Sequence, residues 1–132
     1  MVRPEALVSV WNYDTFLLVP IVGEAFSGSG VVTVNELSLT TGSTDLGQQS
    51  TPGCYLVFVD CSQMQAGDQY RLRCLEKTDG AAAPQREVWS DVLTGPQGCL
   101  ELEQRFALMH GWDFTLQKLA GVDRTFRWSI RG

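Results

Sequence analysis

The sequence predicts an all-β fold, an antiparallel two-sheet sandwich of about eight strands, with a jelly roll as one topology that this count allows. Three observations carry the prediction. Apolar and polar residues alternate with a period of two in one segment after another. Turn-forming residues punctuate those segments at sandwich-like intervals, and helical periodicity is scarce. Each such strand has one apolar face that needs cover, so two stacked layers are the economical solution.

The first element is a strand over Thr15–Val22, preceded by Trp11 and Tyr13; Pro20 suits an edge or a bulge because it cannot donate to a ladder. "GEAFSGSG" follows as a flexible connection. Val31 to Leu39 forms a second strand, with Val32 and Val34 on one face and Val31, Thr33, Leu37 and Leu39 on the other. After the polar loop "TTGSTDLGQQSTPG", the run "CYLVFVDC" is dense in β-branched and aromatic residues and reads as a central strand.

A turn at Ala66-Gly67-Asp68 leads into Gln69–Glu76, where Tyr70, Leu72 and Cys74 share one face and Arg71 and Arg73 the other. "KTDGAAAPQ" separates it from "REVWSDVL", in which Val88, Ser90 and Val92 oppose Trp89, Asp91 and Leu93. Beyond the turn "TGPQG", Cys99 to Leu108 is favoured as a strand; helical spacing would instead gather Leu102, Phe106 and Met109. The chain closes with Trp112–Leu119 and Arg124–Arg131, a hairpin around Gly121. Trp112, Phe114, Phe126 and Trp128 fall on its apolar face, where each contributes on the order of 1.5–3 kcal/mol when buried. Asp113, Thr115 and Gln117 are expected to lie outward beside Arg127, Ser129 and Arg131.

At 132 residues the chain suits one domain, read as a single sandwich over 1–132 with a short amino-terminal arm. A formal charge of −5 argues against a non-specific nucleic-acid binder, and no direct sequence-specific nucleic-acid partner is expected. The charge is uneven: residues 1–110 hold 6 basic and 13 acidic side chains, residues 111–132 hold 4 and 2. Eight of the ten basic residues are arginine, which grips carboxylates bidentately and so leans toward protein contacts. No apolar run has membrane-span length and no secretory leader is evident, which points away from a membrane and toward a reducing cytosol.

The motifs for chemistry are sparse. Cys54, Cys61, Cys74 and Cys99 lack the close pairs of a zinc or iron–sulfur site and read mostly as buried thiols, with two disulfides as the alternative. His110 could act as a base oriented by Asp113 or Asp123, yet no serine or cysteine has a nucleophile's context, so it reads as a turn residue. Glu101 and Glu103 would share a strand face, and without a sugar cleft they read as solvated. "GEAFSGSG" lacks the lysine and Ser/Thr of a phosphate loop. Trp11, Tyr13, Tyr55 and Trp89 are the aromatic candidates for sugar recognition. No enzyme, cofactor or metal is expected.

Two stretches, "AGDQYRLRCLEKT" at 66–78 and "MHGWDFTLQKLAGVDRTFRWSIR" at 109–131, resemble small β-rich head decoration, or cement, proteins of tailed bacteriophages. The resemblance covers under a third of the chain and includes no catalytic motif. It implies a virion structural protein on the capsid surface, assembled in the host cytoplasm. Such a protein binds the major capsid protein or other virion subunits, bridges shell subunits, and commonly acts as a homo-dimer or homo-trimer. A tail or neck protein, or a carbohydrate-binding module on the phage particle, are the alternatives. Residue chemistry nominates Arg71, Arg73, Arg127 and Arg131, with Trp11 and Tyr13 of the arm, as interface candidates.

Overall fold

A computed structural model describes residues 23–80, 82–101 and 104–132. The strand expected over Thr15–Val22 and the aromatics Trp11 and Tyr13 lie outside the described residues. Nine strands occur within them and no helix: β1 (Glu24–Val32), β2 (Leu37–Ser38), β3 (Gly53–Asp60), β4 (Gln69–Lys77), β5 (Gln85–Thr94), β6 (Cys99–Glu101), β7 (Phe106–Leu108), β8 (Asp113–Ala120) and β9 (Arg124–Arg131). Sheet A runs β1-β9-β3-β6, with β7 paired to the other end of β3; sheet B runs β2-β8-β4-β5. Every pairing is antiparallel.

The pairings nest. Val32 meets Arg124, Leu37 meets Leu116, Gly53 meets Leu108, Phe58 meets Glu101 and Arg73 meets Ser90, each pair lying inside the one before along the chain. The chain is thus one long hairpin folded at the β4–β5 connection and then rolled, so that β9 also meets β3 and β8 also meets β4. With β6 and β7 counted as one interrupted strand, this is the jelly-roll arrangement.

Rolling corrects the expected closing hairpin. β8 and β9 are consecutive but belong to opposite sheets, so Gly121 lies in an arch between layers. The apolar faces explain the choice. Trp112, Phe114 and Leu116 from one layer and Phe126, Trp128 and Ile130 from the other are all buried in one core, whereas a flat hairpin would have left that ribbon to be covered by something else. Aromatic contacts stitch the layers together: Tyr70 of β4 meets Phe126 of β9 at 4.7 Å between ring centroids, and Phe106 of β7 meets Phe114 of β8 at 5.2 Å. The polar tips of three core aromatics are satisfied. Trp128 Nε1 donates to the Leu39 carbonyl at 2.9 Å, Trp112 Nε1 to Thr51 at 3.1 Å and the Tyr70 hydroxyl to Val122 at 2.6 Å.

The expected flexible connection "GEAFSGSG" is instead most of β1. Its glycines serve packing: a Cβ on Gly28 would lie 2.7 Å from Trp128 Cζ2, so the strand holds a groove for the indole. The expected strand over Val31–Leu39 is broken at residues 33–36, which lets the chain leave sheet A after Val32 and enter sheet B at Leu37. Val32 is consequently buried while Val34 is exposed, although strand alternation placed them on one face.

One carboxylate fastens the end of the roll where three connections meet. Asp68, buried after β3, accepts from Gln65 N at 2.9 Å, from Val122 N at 3.1 Å and from Arg124 Nε at 2.8 Å. Its own carbonyl accepts from Gly95 N at 2.9 Å, which adds the β5–β6 turn. Gly121, at φ +92°, passes so close that a Cβ would lie 2.2 Å from Asp68 Oδ1. The Gln65 amide first, then Arg124 and Val122, hold the Asp68 carboxyl down at about 2, against an ordinary value of 3.8. A depressed carboxyl contributes stability that is complete above its unfolded value and lost as the pH falls through its folded one.

Two expected outcomes follow. Gly28→Val overpacks the Trp128 groove and lowers stability by about 1–3 kcal/mol, read from the denaturant midpoint. The stability advantage of the natural chain over Asp68→Asn is complete above pH 3.8 and shrinks as the pH falls toward about 2, which paired denaturation series across acid pH would measure.

Candidate interaction surface

The four nominated arginines divide between opposite faces of the sandwich. Arg71 and Arg73 lie on β4, and their cross-strand partners Gln117 and Thr115 on β8 and Val92 and Ser90 on β5 share the outer face of sheet B. Arg127 and Arg131 lie on β9 in sheet A, flanked by Ser29 and Glu24 of β1 and by Asp60 and Leu56 of β3. Trp11 and Tyr13 lie outside the described residues.

The sheet B pair is consumed internally. Arg73 forks onto both oxygens of Glu36 in the β1–β2 connection and reaches Glu87 Oε1 of β5 at 3.5 Å. Thr115 also donates to Glu36. Burial pushes the Glu36 carboxyl up, but the Arg73 and Thr115 hydrogen bonds and the Arg73 charge together outweigh it, leaving its pKa below the ordinary carboxylate value. Arg71 Nη2 donates to Gln117 Oε1 at 2.6 Å, and Gln117 Nε2 donates on to the Val34 carbonyl at 2.8 Å. Both arginines therefore tie the β1–β2 connection across sheet B.

The row expected on the outer face of β8 does lie there, but two of its members are covered and not solvated. Asp113 and Thr115 are fully buried. Asp113 accepts from Ser38 Oγ at 2.9 Å, Thr40 Oγ1 at 2.8 Å, Gly47 N at 2.8 Å and Phe114 N at 2.9 Å, organising the loop after β2. Burial pushes its carboxyl up despite those donors. Asp113 is thus committed away from His110, and Asp123 pairs with Lys118 at 2.6 Å. His110 itself contributes backbone: its N–H donates to Glu76 Oε2 at 3.0 Å and its carbonyl accepts from Lys77. Of the other candidates, Glu103 lies outside the described residues, and Glu101 is placed only by its backbone pairing with Phe58. Cys61 and Cys74 are buried as expected and Cys54 is exposed. Desolvation pushes the Cys74 thiol up to about 12. No group of three or more His, Cys, Asp or Glu side chains suited to a metal occurs among the described residues.

Sheet A presents the unspent charge. Arg127 is exposed and makes no hydrogen bond or ion pair among the described residues. Arg131 sits over the Phe58 ring with its Cζ 3.9 Å from the centroid, and its Nε donates to Ser129 Oγ at 3.2 Å. Ser129 Oγ donates to Glu24 Oε2 at 2.6 Å. Phe58, Asp60, Arg127, Trp128 and Ser129 line a shallow open depression of about 200 Å³. Hydrogen bonds from Ser62 hold the Asp60 carboxyl below its usual value, with the Arg127 charge adding to them. On β1, Ser29 stands beside Arg127 and Ser27 beside Ser129.

Phe58 and Asp60 were missed as site residues. Alternation within "CYLVFVDC" does turn Leu56, Phe58 and Asp60 away from Tyr55, Val57 and Val59, but a run this apolar reads first as a strand buried on both faces. Of the sugar candidates, Tyr55 and Trp89 lie among the described residues and form no platform with one another. Tyr55 is buried with its hydroxyl bonded to Thr51, and Trp89 packs edge-on against Phe106 at 5.3 Å.

No protein-family model matches the chain, and no curated protein sequence matches it. In structure the chain is similar to the Yersinia pseudotuberculosis-derived mitogen, with a TM-score of 0.50 at 10% sequence identity, over 85% of this chain and 86% of that one. This likeness is one of fold and agrees with the two-sheet architecture.

The division of labour between the faces is measurable. Arg73→Ala strands the half-buried Glu36 and costs about 1–3 kcal/mol, whereas Arg127→Ala stays within about 0.5 kcal/mol of the natural chain. Chemical denaturation of the two variants side by side checks the contrast.

Proposed function

We propose that the chain is a non-enzymatic structural protein of a tailed-phage virion, which binds the assembled capsid and bridges neighbouring shell subunits. The observation that carries this reading is the outer face of sheet A, where Arg127 is unspent among the described residues and Arg131 is held against Phe58 on a stiff strand. An arginine fork in a fixed position meets a carboxylate bidentately and loses little side-chain freedom on doing so. The acidic patch that such a face fits belongs to the major capsid protein or another virion subunit. The phage resemblance adds support, since its second stretch ends on β9.

The work of such a protein is adhesion. Each contact is modest, but a sandwich that touches two subunits makes the second contact at high effective concentration. Because it binds the assembled shell and not free subunits, it stabilises the shell by mass action. The reaction needs no cofactor and makes no covalent bond.

Co-sedimentation with purified heads and, separately, tails of the encoding phage tests this. The natural chain is expected to pellet with heads in a salt-sensitive manner, and Arg127→Glu combined with Arg131→Glu to lose on the order of tenfold or more in affinity. Arg71→Ala should keep its binding. Failure of the natural chain to bind heads contradicts the capsid role, and binding to tails alone moves the protein to that organelle.

A further inference from the structure

Sheet B ends on β5, a ten-residue strand paired on one side with β4 and, among the described residues, with nothing on the other. An edge of this length offers a row of backbone donors and acceptors to another strand. Its side chains are open as well: Val88 and Val92 are 55% and 47% exposed. Arg86 and Asp91, both exposed, form no ion pair among the described residues.

The register decides what can pair here. Cys74 opposes Trp89 and Leu75 opposes Glu87, so Val88 is an extra residue in a bulge. Counted from β4, Trp89 and Asp91 fall on the core side with Cys74 and Leu72, while Ser90 and Val92 fall outward with Arg73 and Arg71. Past the bulge the alternation restarts: Glu87 and Gln85 lie outward and Arg86 falls on the core side, at the rim.

A regular strand can pair antiparallel with its own two-fold copy only where the two residue numbers sum to an even number, since only then do partners share a face. The bulge reverses that condition across itself. Gln85 can oppose Val92, Arg86 can oppose Asp91, and Glu87 can oppose Ser90, with faces matched in all three pairs. Shifting by one residue would set Glu87 against Asp91, two like charges on opposite faces.

We propose that two copies of the chain join through β5 in this register, merging their B sheets into one eight-stranded sheet with two reciprocal Arg86–Asp91 ion pairs. The occupant of the edge is a second copy because the strand is complementary to itself in face and charge. The arginine face of sheet A stays outside this junction, so a dimer presents two of them. This inference does not depend on the virion role.

Sedimentation equilibrium of the full chain over a concentration series tests it. The natural chain is expected to dimerise. Arg86→Asp and Asp91→Arg, each setting like charges opposite one another, should each weaken the dimer by about tenfold or more. The double charge swap should restore it. Thermal melts of every variant establish that all remain folded. A natural chain that stays monomeric, as it would if residues 1–22 covered the edge, overturns the proposal. So does a dimer that the single reversals leave intact or the swap fails to rescue.

Discussion

Everything in this molecule follows from one constraint: the apolar faces of its last two strands are both too large to be left to solvent, and they are buried in one core from opposite sides. β8 contributes Phe114 and Leu116 from sheet B, with Trp112 just before it; β9 contributes Phe126, Trp128 and Ile130 from sheet A. That requirement forces the arch at Gly121, and the arch needs an anchor, which Asp68 supplies. The nested pairing of the earlier strands is the consequence. Once the carboxyl-terminal strands are in separate layers, β1 must pair with β9 and β2 with β8.

The same geometry sorts the polar residues into two occupations. On sheet B the outward side chains are spent on one another, with Arg73, Glu36, Glu87, Thr115, Arg71 and Gln117 linking adjacent strands and the β1–β2 connection. A charge committed in this way contributes to the fold and has little left for a partner. On sheet A the central position of β9 gives its arginines neighbours on both sides, Ser29 and Asp60 beside Arg127 and Glu24 and Leu56 beside Arg131. Among the described residues Arg127 is left unpaired and Arg131 is stacked, which is the condition of an arginine available for recognition.

Much of the fold was legible in the sequence because side-chain alternation reports directly on which face of a strand is buried. β4, β5, β8 and β9 occur where the period of two placed them, and β3 where β-branched and aromatic density did, each within a residue or two at its ends. Alternation is silent on which strand lies beside which, and there the reading failed: proximity along the chain suggested a hairpin where the core required an arch. Composition also misled twice. Glycine and serine in "GEAFSGSG" signal flexibility by propensity, but next to Trp128 they are what allows close packing. Asp113 looks like a surface residue until Ser38, Thr40 and Gly47, all distant in sequence, are seen to gather around it. The candidate surface was half legible: the arginines of β9 were visible, but Phe58 and Asp60 required knowledge of which strand lies beside them.

Cross-strand backbone contacts of β9 in solution, read as nuclear Overhauser effects between facing residues, test this account most directly. They should connect Trp128 with Gly28 on one side and with Val59 on the other. A ladder joining β9 to β8 as a simple hairpin would contradict the rolled architecture and, with it, the separation of a braced face from an adhesive one.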